Sequence, residues 1–459
     1  MHKRAIQVFL CLSFLCASQP VHAQDIAGTE YVVQLGDTLS SIAATFHVDL
    51  AALMSANGIT DPNQIDIGQK LIIPGIVIIN MGDSYRTLVR HLQLSQDDFQ
   101  RLNHIVSPGQ FYVGANMIVP PENGKKILNT RIATDIGESL LEVAVKNNTD
   151  PWTLAHYNNL GGSWDGLPGD TLFAPGADNG QSTSGLPSAF ISAAIHYLPL
   201  KQGGTGVIQV KTIPNVSLTG LLVDHELHFF PAEDGTQIAL QGVHALLEPG
   251  VYPLRLDATL PNGSKQSYEQ FVVIVSGNYP QDPVLAVNPA LIDPAVTVPE
   301  DKQLIEITKP STSTKYWTGD FISPAIAYAE STYFTSRFGN RRVYLGVGTD
   351  LKINWWHTGL DFGGGTGLPI TAPAAGKVVF AGPLTVRGNA TVIDHGWGVY
   401  SGFWHQSQIQ VQVGQIVQQN EVIGLVGGTG RVTGPHLHWD LWVNGVQVDP
   451  LDWLTNTYP

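Results

Sequence analysis

Cysteine is nearly missing from this chain: two in 459 residues, Cys11 and Cys16, both inside the first 16 positions. Everything downstream therefore has no disulfide framework, no thiol nucleophile and no thiolate metal ligand. Charged residues are also scarce, at 14% against 43% hydrophobic, which excludes a disordered acidic tail or a coiled coil. Basic side chains are the rarer sign. With 24 Lys and Arg against 38 Asp and Glu the net charge is −14, so no broad phosphate-binding face is expected and nucleic acid is excluded as a partner. Long apolar runs are absent past residue 23, and the reading has no transmembrane segment in the mature chain. Residues 1–23 themselves read as a signal peptide. His2, Lys3 and Arg4 give the positive start, Val8 to Ala17 the apolar stretch and Val21-His22-Ala23 a small-residue cleavage site. The expected localisation is export, to a periplasm, cell envelope or extracellular space.

What is present begins with a repeat. Gly36-Asp37, Gly82-Asp83 and Gly137-Glu138 each precede an apolar-periodic run, followed at fixed distance by Asn57, Asn103 and Asn158 and then by Pro74, Pro120 and Pro175. The copies are offset by 46 and then 55 residues at all three markers, so insertions fall only between copies, as for separately folding modules. In the first copy Tyr31-Val32-Val33 reads as a strand. Asp37 or Thr38 caps a helix bearing Leu39, Ile42, Ala43 and Phe46, Asp49 starts a second helix, and Lys70-Leu71-Ile72-Ile73 closes as a strand. The expectation is a small α+β unit of βααβ order.

The run Y-V-V-Q-L-G-D-T-L-S-S-I-A with the later N-G-I and G-Q-K-L-I-I-P resembles the LysM module. The resemblance covers residues 30–74, weakens over 76–120, and over 127–175 is that of a degenerate copy. It implies binding of N-acetylglucosamine-containing glycan such as peptidoglycan, with Gly36, Asp37, Thr38 and the Asn57-Gly58-Ile59 turn as the glycan-binding residues. Tethered weak sites would raise avidity.

Residues 188–276 change to short alternating strands such as Val207–Lys211 and Phe271–Val275, separated by turns, and the expected fold is an immunoglobulin-like β-sandwich spacer. His225 and His228 stand three apart, which on a strand sends them to opposite faces, so His225-Glu226-Leu227-His228 is structural. Seven prolines mark residues 277–330 as a linker, or an arm wrapping the next domain with Trp317 and Phe321 packed onto it.

Residues 331–459 are rich in Gly, Val and aromatics, without helical period, and read as an all-β, barrel-like or sandwich domain. They hold His357, His395, His405, His436 and His438. In His436-Leu437-His438 the strand period puts both imidazoles on one face, and His357 shares a face with Asp361. His357, Asp361 and one histidine of the pair make a three-ligand set of the kind that leaves a hydrolytic zinc one position for water, whose pKa then falls from about 15.7 towards about 7.

The ordered motifs S-R-F-G, H-T-G-L-D-F, G-L-P-I-T-A-P-A-A-G-K-V, I-D-H-G-W-G-V-Y, F-W-H-Q-S and V-G-G-T-G-R-V-T-G-P-H-L-H-W-D resemble the lysostaphin-like zinc endopeptidases, which cut peptides of peptidoglycan. That resemblance implies the duplicated hybrid motif fold and one zinc ion held by His357, Asp361 and His438. His405 and His436 are implied as the catalytic histidines, shared between base and oxyanion roles. Phe403, Gln406 and Asp440 depart from the family's usual Tyr, Leu and Glu, the last touching how the ligand strand is oriented. His395 is expected to close a tight turn, and Arg337 either to face the cleft or to form a salt bridge. The function implied is an exported peptidoglycan hydrolase. Its rival, a noncatalytic wall-binding adaptor or amidase activator, is disfavoured by the complete ligand set.

Overall fold

The computed structural model describes residues 29–46, 48–73, 75–92, 95–103, 105–118, 130–134, 138–158, 160–162, 165–166, 170–174, 185–326, 328 and 334–459. Residues 1–23, expected to be a signal peptide and carrying Cys11 and Cys16, and Pro74, Pro120, Gly137 and Pro175 of the repeat frame, lie outside the described residues. The chain divides into two compact units, residues 1–77 with 118–124 and residues 78–117 with 125–459.

In the first unit, strand Thr29–Val32 pairs antiparallel with Lys70–Ile73 around helices Leu39–Thr45 and Leu50–Ala56. Thr38 starts the first helix with a reciprocal cap: its Oγ1 accepts from Ser41 N at 3.0 Å and Ser41 Oγ accepts from Thr38 N at 2.8 Å. Leu39, Ile42 and Ala43 pack that helix onto Leu53, Leu71 and Ile73. Asn57 clasps the module shut, its amide donating to Leu53 O and Ile72 O while Ile72 N donates to its Oδ1 at 2.6 Å.

The second unit opens with the later repeats. Helices Tyr85–His91 and Gln96–Asn103 form one, and strands Thr130–Ala133 and Thr171–Ala174 with helices Leu140–Lys146 and Pro151–Tyr157 form the other. Asn158 repeats the clasp on Leu154 O and on both main-chain groups of Phe173. These two copies are not separate beads. Buried Arg90 reaches Asp170 and Thr171 O, Gly82 N donates to Tyr268 Oη and Gln270 Oε1, and Tyr112–Val113 adds in parallel to strand Lys265–Val275. Polar side chains buried on neighbouring pieces must be satisfied across the junction, which welds those pieces together.

Residues 190–275 form two mainly antiparallel sheets sharing one core of Ile208, Val210, Leu254, Leu256, Val272 and Ile274. Strand Lys265–Val275 alternates exposed and covered residues along its length, the period-two signature the sequence carried.

The proline-marked stretch is more structured than a linker. It contains strand Leu285–Val287 and a helix, Pro294–Thr308, capped by Asp293 with Pro294 in the first turn, where a missing N–H costs nothing. Glu300, Leu304 and Thr308 form its buried face, and Trp317 and Phe321 enter the core of the domain that follows.

That last domain is built on an eight-stranded sheet whose path runs Phe334–Ser336, Gly359–Gly363, His436–Val443, Val399–Gln406, Gly388–Gly396, Gly376–Leu384, Ile416–Val417, with Val446–Val448 paired to His436–Val443. A three-stranded sheet, Pro369–Thr371, Val422–Leu425 and Gln408–Ile409, packs against it over Leu360, Phe362, Ile370, Ile393, Phe403, Ile423, Leu437 and Trp439. Among the described residues no sheet closes on itself, so the barrel expectation is corrected to open sheets that end in short edge strands, Phe334–Ser336 and Ile416–Val417.

Candidate metal centre

Register does most of the assembly. Strand Gly359–Gly363 pairs antiparallel with His436–Val443 so that Asp361 lies opposite His438, and Trp404 on the other neighbouring strand also faces His438. Leu437, Trp439 and Leu441 point into the core, leaving His436, His438 and Asp440 together on the opposite face. His357 is fixed two residues before its strand by main-chain bonds, its N donating to Asn340 O and its O accepting from Gly339 N, both at 2.8 Å. Close approach is possible because residue 359 has no side chain: a Cβ there would lie 2.3 Å from Trp439 O and 2.7 Å from His438 Nε2.

His357, Asp361 and His438 are all buried. His357 Nε2 lies 3.0 Å from Asp361 Oδ1 and 3.1 Å from His438 Nδ1, and His438 Nδ1 lies 2.7 Å from Asp361 Oδ1. The remaining ring nitrogens settle the tautomers. His357 Nδ1 donates to Arg337 O at 2.9 Å, and His438 Nε2 donates to Asp440 Oδ1 at 2.8 Å. A carbonyl and a carboxylate can only accept, so in their neutral forms both histidines turn an unprotonated nitrogen toward the same point as the Asp361 oxygen. Three converging lone-pair atoms repel unless a positive charge sits among them. Tetrahedral zinc, bound at about 2.0–2.1 Å, spaces neighbouring N and O ligand atoms by about 3.3 Å, so the set fits that ion after shifts of a few tenths of an ångström.

The electrostatics agree. Burial pushes His357 down to about 4. For Asp361 burial acts upward, but His357 and His438 overcome it and hold the carboxyl well below the usual carboxylate range. For His438 burial acts downward, and Asp440 with Asp361 overcome it, raising the imidazole to about 9. The surroundings thus favour one positive charge at the junction, a proton or a metal cation.

Around this triad lies a cleft of about 360 Å³ whose lining includes His405, His436, Asp282, Arg342 and Trp355. His405 and His436 stand with ring centroids 5.1 Å apart. His405 Nδ1 donates to Thr429 O at 2.8 Å and His436 Nδ1 to Gly434 O at 2.9 Å, so on each ring Nε2 is the nitrogen not committed to the main chain. His436 Nε2 is 3.5 Å from Asp361 Oδ1. An ordinary pleat would send His405 to the core face with Phe403. Its φ of +63° instead turns the ring to the cleft. This left-handed conformation costs about 1 kcal/mol or more and is held by His405 N donating to Arg387 O at 2.9 Å together with the Thr429 bond.

His395 lies apart from this group, buried, with Nδ1 donating to Ala375 O and Nε2 accepting from Ser401 Oγ, both at 2.8 Å. Arg337 contributes through its carbonyl, while its guanidinium lies over Phe334. Among the described residues, His357, Asp361 and His438 are the one cluster able to hold a metal, and His225 and His228 are not in it. Of the glycan-binding expectations, Asp37 Oδ2 accepts from Tyr31 Oη and Gln34 N, Thr38 caps a helix and the Asn57 amide is committed to the clasp. Gly36 and Gly58 have positive φ at turns, and Ile59 packs on the module core.

Several participants had no signal in the sequence. Arg342 bridges Asp282 to Asp361, its Nη2 donating to Asp361 Oδ2 at 2.9 Å. Buried Glu300 accepts from Val386 N, Arg387 N and Arg387 Nη1, which anchors the loop whose carbonyl holds His405. Trp404 Nε1 donates to the second oxygen of Asp440 at 2.8 Å, so the short carboxylate at this position still orients His438. All these contacts join residues far apart in sequence.

Residues 356–450 match the family model of peptidase family M23. Residues 31–74 match that of the LysM domain, so the chain carries an M23 domain in its last third and a LysM domain near its start. Over 95 residues it is 43% identical to the DD-carboxypeptidase/endopeptidase Mpg of Neisseria meningitidis and 42% identical to the peptidoglycan DD-endopeptidase ShyA of Vibrio cholerae. Each match covers 21% of this chain and 22% of the relative, so about a fifth of either curated protein is shared. Among solved structures, the catalytic domain of the antimicrobial peptidase lysostaphin from Staphylococcus simulans aligns at 29% identity with a TM-score of 0.24, covering 27% of this chain and 92% of that one. The triad and both cleft histidines fall inside the M23 domain, whereas Asp282, Glu300 and Arg342 precede it.

Proposed function

We propose that this protein is an exported zinc-dependent endopeptidase that cuts peptide cross-links or stem peptides of peptidoglycan, held to the wall by LysM glycan binding. The observation that carries the reading is the convergence of His357 Nε2, His438 Nδ1 and Asp361 Oδ1, with every other ring nitrogen of the two histidines already donated to the protein. A bound zinc ion supplies Lewis acidity there, polarising a carbonyl and acidifying water.

The protein's own groups do the rest. Arg342 and Asp440 hold two of the ligands in place from behind. His436 takes the attacking water's proton at Nε2 and returns it to the leaving amine nitrogen. His405, whose Nδ1–H is committed to Thr429 O, shares the water's proton with the neighbouring His436 at its own Nε2 and donates to the oxyanion while it holds it. We assign residues 1–23 to a signal peptide and 30–74 to a glycan-binding module, with 76–120 and 127–175 as LysM-like copies. We assign 188–276 to a sandwich spacer and 331–459, with the helix at 294–308 bracing it, to the catalytic domain, which we read as a duplicated hybrid motif. Glycan contacts in the first module are assigned to Gly36, Asp37, Thr38, Asn57, Gly58 and Ile59.

The test is mass spectrometry of fragments released from purified sacculi by the wild type and by His436→Ala, with a casein-like protein as control substrate. New amine and carboxyl termini in the peptide cross-links, from the wild type alone, are expected. Identical fragment patterns from the two proteins, or cleavage of casein alone, would sink the reading.

A further inference from the structure

Three guanidinium groups line the cleft of a chain whose net charge is −14. Two are neutralised within the protein: Arg342 by Asp282 and Asp361, Arg387 by Glu300 and Asp301. Arg431 is different. Its Nη1 donates to Leu291 O at 3.2 Å and its guanidinium lies over the Tyr344 ring at 4.3 Å, but among the described residues no carboxylate is within salt-bridge distance and neither Nε nor Nη2 has an acceptor. Burial and the neighbouring Arg387 and Arg342 both press against its charge, with the Tyr344 hydroxyl and Asp301 opposing them only in part. An under-compensated cation held in a fixed orientation beside a peptide-hydrolysing centre calls for an anionic partner from outside.

We propose that Arg431 is a carboxylate-reading residue, gripping a free carboxylate that the substrate carries beside the scissile amide. This rests on the peptide-hydrolase reading above. The placement suits the task. Arg431 stacks on Tyr344, whose hydroxyl accepts from Arg342 Nη1 at 3.3 Å, and Arg342 in turn bonds Asp361, so the free N–H groups lie one side-chain layer from the ligand triad. Its own main chain is fixed by Arg431 N donating to Val386 O at 2.7 Å, and the loop runs on directly to His436. A guanidinium pre-oriented by stacking and a main-chain acceptor offers a planar two-pronged grip at small ordering cost. A cross-link made through the distal amine of a diamino diacid carries a free carboxylate on the same carbon as the cleaved amide nitrogen and meets this demand, whereas a branch through a simple lysine-type amine does not. The interior of a glycine bridge has no such group.

The test uses the full-length, zinc-loaded protein and two synthetic branched peptides identical except that one has a free carboxylate and the other a carboxamide at that position. Affinity is read by calorimetry and turnover as kcat/KM. The wild type is expected to favour the acid by about tenfold or more in both readouts, the range for a charge-assisted hydrogen-bonded contact. Arg431→Met should bring the acid down to the amide's level while leaving the amide unchanged within about twofold, and Arg431→Lys should keep part of the preference. Equal losses on both peptides would assign Arg431 to loop packing and overturn the proposal. So would a preference that survives in Arg431→Met, or no preference in the wild type. If neither peptide is cleaved the hydrolase reading fails, and the acid-over-amide binding difference and its loss in Arg431→Met still decide this one.

Discussion

His395 and His405 stand on neighbouring strands of one sheet, both buried, yet their surroundings give them opposite characters. His395 has a protein partner for each ring nitrogen, Ala375 O and Ser401 Oγ. His405 has one partner, Thr429 O, and turns its other nitrogen to the cleft by adopting φ +63°. Burial lowers the pKa of both. What separates His395 from the candidate catalytic His405 is therefore neither depth nor acidity but whether the second nitrogen is left over. The same accounting sorts the ligands, since His357 and His438 each donate one nitrogen to the protein and aim the other at Asp361.

The strongest way to break that comparison is to remove a converging nitrogen. His438→Ala should abolish stoichiometric zinc, measured by metal analysis, and lower kcat/KM on cross-linked peptide by at least about a thousandfold, because the Lewis acid goes with the ligand. Full zinc content in this variant would show that the three atoms do not form the site. The next largest effect belongs to the leftover nitrogen itself. His405→Ala should retain zinc and its thermal midpoint within a few degrees, while kcat falls by about 100- to 10,000-fold, the range for a positioned acid–base group. Parallel loss of metal would place His405 among the ligands and dissolve the distinction.

Asp440→Asn sharpens the comparison at the level of tautomer. The amide cannot accept through both of its terminal atoms, so His438 Nε2–H and Trp404 Nε1–H compete for one acceptor. Zinc affinity is expected to drop about 10- to 100-fold in a chelator competition, with kcat of the fully loaded protein changed less. An unchanged affinity would mean that orientation of His438 comes from packing against Trp404 alone.

How much of this was legible beforehand follows from the range of each contact. His357 with Asp361, and His436 with His438, lie within four residues of one another, so strand period and local motif sufficed to select them. The first repeat was legible for the same reason, with its cap and helices spanning short distances, whereas the Asn57 clasp on Ile72 was not read from the sequence, which assigned Asn57 to the glycan-binding turn. Asp282, Glu300, Arg342, Arg387 and Arg431 meet their partners across gaps of up to 140 residues, with no spacing to read. The proline count of 277–330 misled because Pro294 starts a helix there instead of preventing one. The left-handed turn of His405 is invisible to a period-two argument, which places that ring on the wrong face.

The smallest effect on chemistry is expected where the comparison began. His395→Ala removes a ring whose two nitrogens serve Ala375 O and Ser401 Oγ and whose faces pack near Phe321 at 5.0 Å. It leaves a cavity and two buried polar atoms without their partner, which together cost about 2–4 kcal/mol in denaturant unfolding. Zinc content and kcat/KM per folded molecule should stay within about twofold of wild type, because no atom of His395 faces the cleft. His395→Gln, able to donate and to accept, should recover part of the stability. If either variant slowed turnover per folded molecule by tenfold or more, a fully partnered histidine would matter to the chemistry, and counting leftover nitrogens would no longer separate the two sites.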